Sequence, residues 1–121
     1  MKANVAVLGA STNPERYSNK AVKMLAEHGY SVFPVHPSER PIDDIKCYGS
    51  LSQIDENLDT ITVYLGAKNS APLIDEIVDA RPRRVILNPG AESDELKRMC
   101  QGEGIEVEEA CTLVLLTTGQ F

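Results

Sequence analysis

Cysteine is scarce and badly placed for cross-linking. Cys47, Cys100 and Cys111 are the only three in 121 residues, they lie far apart, and no C-x-x-C occurs. An odd count at wide spacing argues against both a disulfide framework and a zinc site, and leaves each thiol to be read as a small buried hydrophobe. Histidine is scarcer still. His28 and His36 form no H-x-x-x-H pattern, and no local carboxylate cluster would complete a metal site around either. Basic charge is also in deficit, with 12 Lys and Arg against 18 Asp and Glu for a net charge of −6. Binding along a nucleic-acid backbone needs a basic field, so nucleic acid is not an expected partner. The same acidity opposes any anionic ligand at long range, and such a ligand would need local donors. No apolar run approaches the ~20 residues of a membrane span. The apolar stretch after Met1-Lys2-Ala3-Asn4 is too short for a secretory signal, which predicts a cytoplasmic chain with no membrane partner.

What is present fits one ordinary globular domain over residues 1–121. Hydrophobic residues make up 42% and charged residues 25%, and a chain of this length can bury a core without staples. Strand-like and helix-like segments alternate, which predicts an α/β fold with helices on both faces of a parallel sheet. Val5-Ala6-Val7-Leu8 is a continuous apolar run of the kind buried on both faces. Ala21, Val22 and Leu25 follow at helical spacing, and Gly29 marks a stop. Further strands are expected at residues 31–35, 60–65, 84–87 and 105–107, with a short edge strand near Lys46-Cys47-Tyr48 and a turn of helix at 51–54. Leu73, Ile74, Ile77 and Val78 form a helical stripe with Pro72 in its first turn, and Ser93 caps a helix opened by Asp94 and Glu95. The expected sheet is a three-layer Rossmann-like one of order 3-2-1-4-5-6, its third strand the short edge near Cys47. Ligands of such sheets bind beyond the carboxyl ends of the strands where the order reverses.

The loop after the first strand enters that crevice. Gly9 permits a tight turn and close approach; Ser11, Thr12, Asn13 and Ser18 are short polar side chains; Arg16 adds a full charge; and the following helix offers free N–H groups. This set suits a diphosphate, although a polar turn with a helix cap is something any α/β domain needs. The dinucleotide fingerprint G-x-G-x-x-G is missing, Val35-His36-Pro37 has no acid for a ribose hydroxyl, and no G-x-x-x-x-G-K-[ST] occurs. A dehydrogenase or a P-loop nucleotidase is therefore not expected.

Gly9-Ala10-Ser11, Arg16-Tyr17-Ser18-Asn19, Gly29-Tyr30 and Pro34-Val35-His36-Pro37 together resemble the small bacterial and archaeal CoA-binding proteins. These are similar to the N-terminal CoA-binding domain of the succinyl-CoA synthetase α subunit, standing alone. Tyr48-Gly49-Ser50-Leu51, Asn88-Pro89-Gly90-Ala91-Glu92, Gly104-Ile105-Glu106-Val107 and Cys111 extend the resemblance over nearly the whole chain, with His36 where the family pattern has Asn. The resemblance implies that Gly9, Ala10, Ser11, Asn13, Arg16 and Ser18 lie along the diphosphate of coenzyme A. It implies that Val35, His36 and Pro37 border the adenosine, and that Asn88, Pro89 and Gly90 face the pantetheine. Arg40 would meet the 3′-phosphate, or is simply an exposed loop arginine, and Leu65-Gly66-Ala67 would wall the crevice.

The reading that results is a protein that binds coenzyme A or an acyl-CoA through the first loop, with no catalytic residues of its own. Neither histidine has a triad around it, and the apolar surroundings of Cys111 argue against a reactive thiolate. Two other readings stand beside it. One is a small enzyme acting on an acyl-CoA with His36 or Cys111 as the reactive group; the other is a nucleotide-responsive interaction module.

Overall fold

A computed structural model describes residues 2–121. Five parallel strands form its sheet: β1 (Asn4–Leu8), β2 (Ser31–Val35), β3 (Thr60–Val63), β4 (Arg84–Leu87) and β5 (Glu106–Glu109), in the order β2-β1-β3-β4-β5. The helices are α1 (Tyr17–Glu27), α2 (Ala67–Ser70), α3 (Ile74–Asp79), α4 (Asp94–Gly102) and α5 (Thr112–Thr117). The α/β class and the parallel sheet agree with the sequence reading. The expected third strand, the short edge near Cys47, does not form among the described residues, so the sheet has five strands in the otherwise expected order. The segment near Cys47 contributes one parallel bridge, Val35 to Tyr48, closed by the His36 N–H on the Tyr48 carbonyl at 2.9 Å and the Tyr48 N–H on Pro34 at 2.8 Å. The chain on either side explains why it stops there. Ile42 and Ile45 pair with each other around a turn that sets Asp43 at φ 53°, and residues 49–50 turn away into the 3-10 turn Leu51–Gln53.

The apolar run of β1 divides between the two faces as its alternation requires. Val5 and Val7 pack with Val22 and Leu25 of α1 and Leu116 of α5, whereas Ala6 and Leu8 join Ile61, Val85, Ile77, Leu96 and Cys100 on the α3–α4 side. Burial on both faces is what makes β1 read as unbroken hydrophobicity. The tail that follows Cys111 is thus a core element, since Leu115 and Leu116 are buried. At the opposite edge β5 reads Glu-Val-Glu-Glu with its ends exposed, and such charge blunts an open edge against pairing with another sheet. Ser93 caps α4 as expected, its Oγ accepting the Leu96 N–H at 3.1 Å. Helix α2 lies where the sequence shows no periodicity. None of the helices among the described residues is long and apolar enough to cross a membrane.

Candidate functional site

β1 lies between β2 and β3, and the chain leaves its carboxyl end toward α1 on one face while β3 leads to α2 and α3 on the other. This is the point where the strand order reverses, and the backbone there is drawn into a tight loop. Gly9, at φ 89°, and Ala10 both donate N–H groups to the Val35 carbonyl, at 3.0 and 3.1 Å. A Cβ on Gly9 would stand 2.9 Å from Cγ and Cδ2 of Leu65, so the position needs glycine for its dihedral angle and for its neighbour.

Beyond Gly9 the loop is held by its own polar side chains. Ser11 Oγ accepts the Asn13 N–H at 3.1 Å, Asn13 Oδ1 accepts the Glu15 N–H at 3.0 Å, and the Arg16 N–H bonds the Asn13 carbonyl at 3.0 Å. Asn19, buried in the first turn of α1, donates Nδ2 to the Ser11 carbonyl at 2.8 Å. That residue ties the loop to the helix, a role the sequence reading did not give it. The backbone N–H groups of Ser11, Thr12, Tyr17 and Ser18 meet no acceptor among the described residues, and α1 has no side-chain cap. Arg16 and Arg40 are exposed and make no ion pair among the described residues. Free N–H groups at a helix start, beside an uncommitted guanidinium, form a concave positive surface in an acidic protein.

Three adjoining cavities open around this loop. A cleft of about 550 Å³ is lined by Gly9, Ala10, Ser11, Arg16, Ser18, Pro89 and Gly90, together with Tyr17, Tyr64 and Leu65. A slot of about 320 Å³ is lined by Val35, Pro37, Leu65 and Leu73, together with Gly49, Ser50, Asn69 and Glu76. A small pocket of about 80 Å³ holds Ser11, Thr12, Ser38 and Arg40. His36 lines all three, and Gly9 lines the first two. Asn69, Leu73, Glu76 and Ser38 are lining residues the sequence reading missed. Only the apolar periodicity around Leu73 could have hinted at the α3 wall.

Two of the expected site residues do other work. Asn13 spends its side-chain oxygen on the Glu15 N–H and lines none of the cavities. Asn88 is a correction. It is 1% exposed, its Nδ2 donates to Thr62 Oγ1 at 2.6 Å and to the Val63 carbonyl at 2.9 Å, and its Oδ1 accepts the Thr112 N–H at 2.8 Å. Its polar groups point into the protein and fasten α5 to the sheet, so its side chain does not face the crevice. Thr62 and Thr112 share a hydroxyl bond of 2.7 Å in the same cluster. The Tyr64 hydroxyl lies buried beside it without a hydrogen bond of good geometry. Burial, the largest cause, pushes its pKa up to about 12, and it stays a neutral phenol.

His36 is oriented by its neighbour. Its Nδ1 accepts the Ser38 N–H at 3.0 Å and lies 2.9 Å from Ser38 Oγ. With that lone pair engaged, the ring proton of the neutral form sits on Nε2. Cys47 and Cys100 are buried, and desolvation raises both thiols, Cys100 to about 11. Cys111 is half-buried at the start of α5, less enclosed than its apolar surroundings suggest.

A family model described as a CoA binding domain matches residues 3–117. The chain belongs to this CoA-binding family. Among solved structures, an uncharacterized protein superimposes with a TM-score of 0.94 at 32% identity, covering 100% of this chain and 99% of that one. The uncharacterized protein YneT of Bacillus subtilis is 25% identical over 100 residues, which is 83% of this chain and 74% of YneT. The ADP-forming acetate–CoA ligase I of Archaeoglobus fulgidus is 33% identical over 72 residues, 60% of this chain but 10% of the ligase. Similarity to this chain is thus found both in a short part of a large ligase and in proteins close to it in length.

Proposed function

We propose that this protein binds coenzyme A or an acyl-CoA across the three cavities and catalyses no reaction by itself. The observation that carries the reading is the cluster of N–H groups at Ser11, Thr12, Tyr17 and Ser18, without an acceptor among the described residues, beside Arg16 at the reversal of strand order. Those donors suit the diphosphate, with Gly9 and Ala10 shaping the turn beneath it. The small pocket with Arg40, Ser38 and His36 suits a 3′-phosphate. The slot past Val35 and Pro37 suits the adenine, and Pro89 and Gly90 line the exit for pantetheine. The absence of a carboxylate at Val35-His36-Pro37 disfavours NAD, whose ribose hydroxyls such a group would bind. His36 has its Nδ1 occupied by Ser38, which suits a fixed donor better than a general base. Free cysteines accord with a place in the cytoplasm.

The test is thermal unfolding with ligands at equal concentration. Coenzyme A at about a hundred times its Kd stabilises the native state by about 2.7 kcal/mol, a rise of about 10 °C for a domain of this size. ADP should give a smaller rise and NAD little. A larger shift with NAD than with coenzyme A would overturn the reading. Arg16 is exposed and makes no ion pair among the described residues, so Arg16→Ala should leave the fold intact while lowering CoA affinity about tenfold or more, the effect of losing a charge-assisted bond of about 1.5–3 kcal/mol. Calorimetry with unchanged affinity would remove Arg16 from the site.

A further inference from the structure

Asn19 sits in the first turn of α1, 1% exposed, and lines none of the three cavities around the loop. Its Nδ2 donates to the Ser11 carbonyl at 2.8 Å. A carbonyl only accepts, so the nitrogen is the end of the amide that must face it. That leaves Oδ1 buried with no hydrogen-bond partner among the described residues. Buried acceptors without a donor are few in native proteins, and each lowers stability. The buried positions further along α1 are Ala21, Val22 and Leu25, all apolar, so packing alone does not call for an amide here. Among the described residues no other donor reaches the Ser11 carbonyl. The peptide is trans, so its N–H, that of Thr12, points opposite to that carbonyl. With the carbonyl drawn to α1, the Thr12 N–H is turned away from the helix, where it meets no acceptor among the described residues. Thr12 itself is exposed and lines the small pocket with Ser38 and Arg40.

We infer that Asn19 sets the polarity of the first loop: by holding the Ser11 carbonyl against α1 it keeps the Thr12 N–H outward, as a donor to an anionic oxygen of the ligand. This rests on the reading of the first loop as the diphosphate site and names the residue that makes the loop accept an anion. A peptide unit is a dipole, positive at its N–H and negative at its oxygen. Turned over, the peptide between Ser11 and Thr12 would set its oxygen against the phosphate and repel it. A net charge of −6 supplies no long-range attraction to offset such a repulsion. The other side-chain bonds of the loop do not decide the matter. Ser11 Oγ engages the Asn13 N–H and Asn13 Oδ1 the Glu15 N–H, and neither touches this peptide. Asn19 does not reach the ligand, so it is a positioning residue. Its unpaired Oδ1 is the loss of stability that accompanies the hold, as is common where a site is kept in one arrangement.

Asn19→Leu keeps the branched shape of the side chain and removes both the donor and the unpaired oxygen. The variant should melt at or above the temperature of the unmodified protein, because Ser11 is half-buried and its carbonyl can turn to water. Its affinity for ADP, measured by calorimetry, should nevertheless fall about tenfold, the effect of losing a bond from an N–H to a charged oxygen. An asparagine that served packing alone would not move stability and affinity in opposite directions. Asn19→Ala, which cannot overpack the site, should lose affinity to a similar degree. Residual dipolar couplings of the Thr12 N–H in the ligand-free protein read the orientation directly. The unmodified protein should give the coupling of an N–H turned away from α1, and both variants a smaller, averaged one, with the couplings of β1 unchanged. ADP added to the unmodified protein should move the Thr12 amide proton downfield. Binding of ADP without that movement, a result that needs no variant to fold, would overturn the inference. So would undiminished ADP affinity in both variants, or a Thr12 coupling that survives in them. If coenzyme A and ADP bind but any of these results is found, this inference alone falls. Failure of both ligands to bind the unmodified protein sinks the functional reading with it.

Discussion

Gly9→Ala should destabilise the protein by about 2–5 kcal/mol and weaken coenzyme A binding by about a hundredfold or more. Two costs add at this position. An L side chain at φ 89° is strained by about 1–2 kcal/mol. The new Cβ also stands 2.9 Å from Cγ and Cδ2 of Leu65 and 3.4 Å from the Tyr64 carbonyl carbon. Relief means pushing Leu65 into the slot and cleft it walls or lifting the loop off the Val35 carbonyl, and overpacking of this kind costs about 1–3 kcal/mol. Either movement turns the Ser11 and Thr12 N–H groups away from a bound diphosphate. Losing two such bonds at about 1.5 kcal/mol each accounts for the hundredfold. Gly90→Ala is the matched control, because its φ is 92° but a Cβ there would meet nothing within 4 Å. It should carry the strain without the clash. Urea unfolding and calorimetry on both variants decide the matter. CoA affinity in Gly9→Ala equal to that of the unmodified protein would mean that the loop does not hold the ligand.

The parts of this fold that could be read from the sequence are those whose cause is local. Val5-Ala6-Val7-Leu8 is buried on both faces, and an unbroken apolar run says so. Ser93 before Asp94 and Glu95 announces a capped helix because the cap and the dipole act within one turn. The short third strand failed for a reason no pattern carries: Ile42 pairs with Ile45 and leaves Tyr48 a single bridge. Helix α2 was missed because Ala67-Lys68-Asn69-Ser70 is too short to show a period. With it went Asn69, and Glu76 looked like any polar residue on the solvent side of an apolar stripe. The loop residues Gly9, Ala10, Ser11, Arg16 and Ser18 do come together around one cleft with Pro89 and Gly90. Asn13 and Asn19 exchange the importance the sequence suggested for them, since which amide faces a ligand and which ties a loop depends on burial alone.

Asn88 shows the same limit with a larger energetic consequence. The family resemblance implies a ligand contact at this position, yet its side-chain hydrogen bonds run inward. Asn88→Ala removes bonds to Thr62, Val63 and Thr112, leaves the Thr112 N–H buried without a partner, and opens a small cavity. An orphaned buried donor costs about 1–3 kcal/mol and the truncation adds further loss. The expected destabilisation is about 3–5 kcal/mol, a large share of the 5–15 kcal/mol that typically holds a domain together. Asn88→Asp sharpens the point. It keeps the oxygen that receives the Thr112 N–H but sets a second oxygen against the Val63 carbonyl, so it should be no more stable than the alanine variant. Thr62→Val should cost less, about 1–2 kcal/mol, because only hydroxyl bonds are lost. The Asn88–Thr62 pair should be non-additive in a double-mutant cycle, since each side chain loses the same 2.6 Å bond. Denaturant unfolding measures all of these. Measured well below its melting temperature, folded Asn88→Ala should bind coenzyme A within a few-fold of the unmodified protein. Unchanged stability with a tenfold loss of affinity would instead return Asn88 to the ligand and contradict the inward network.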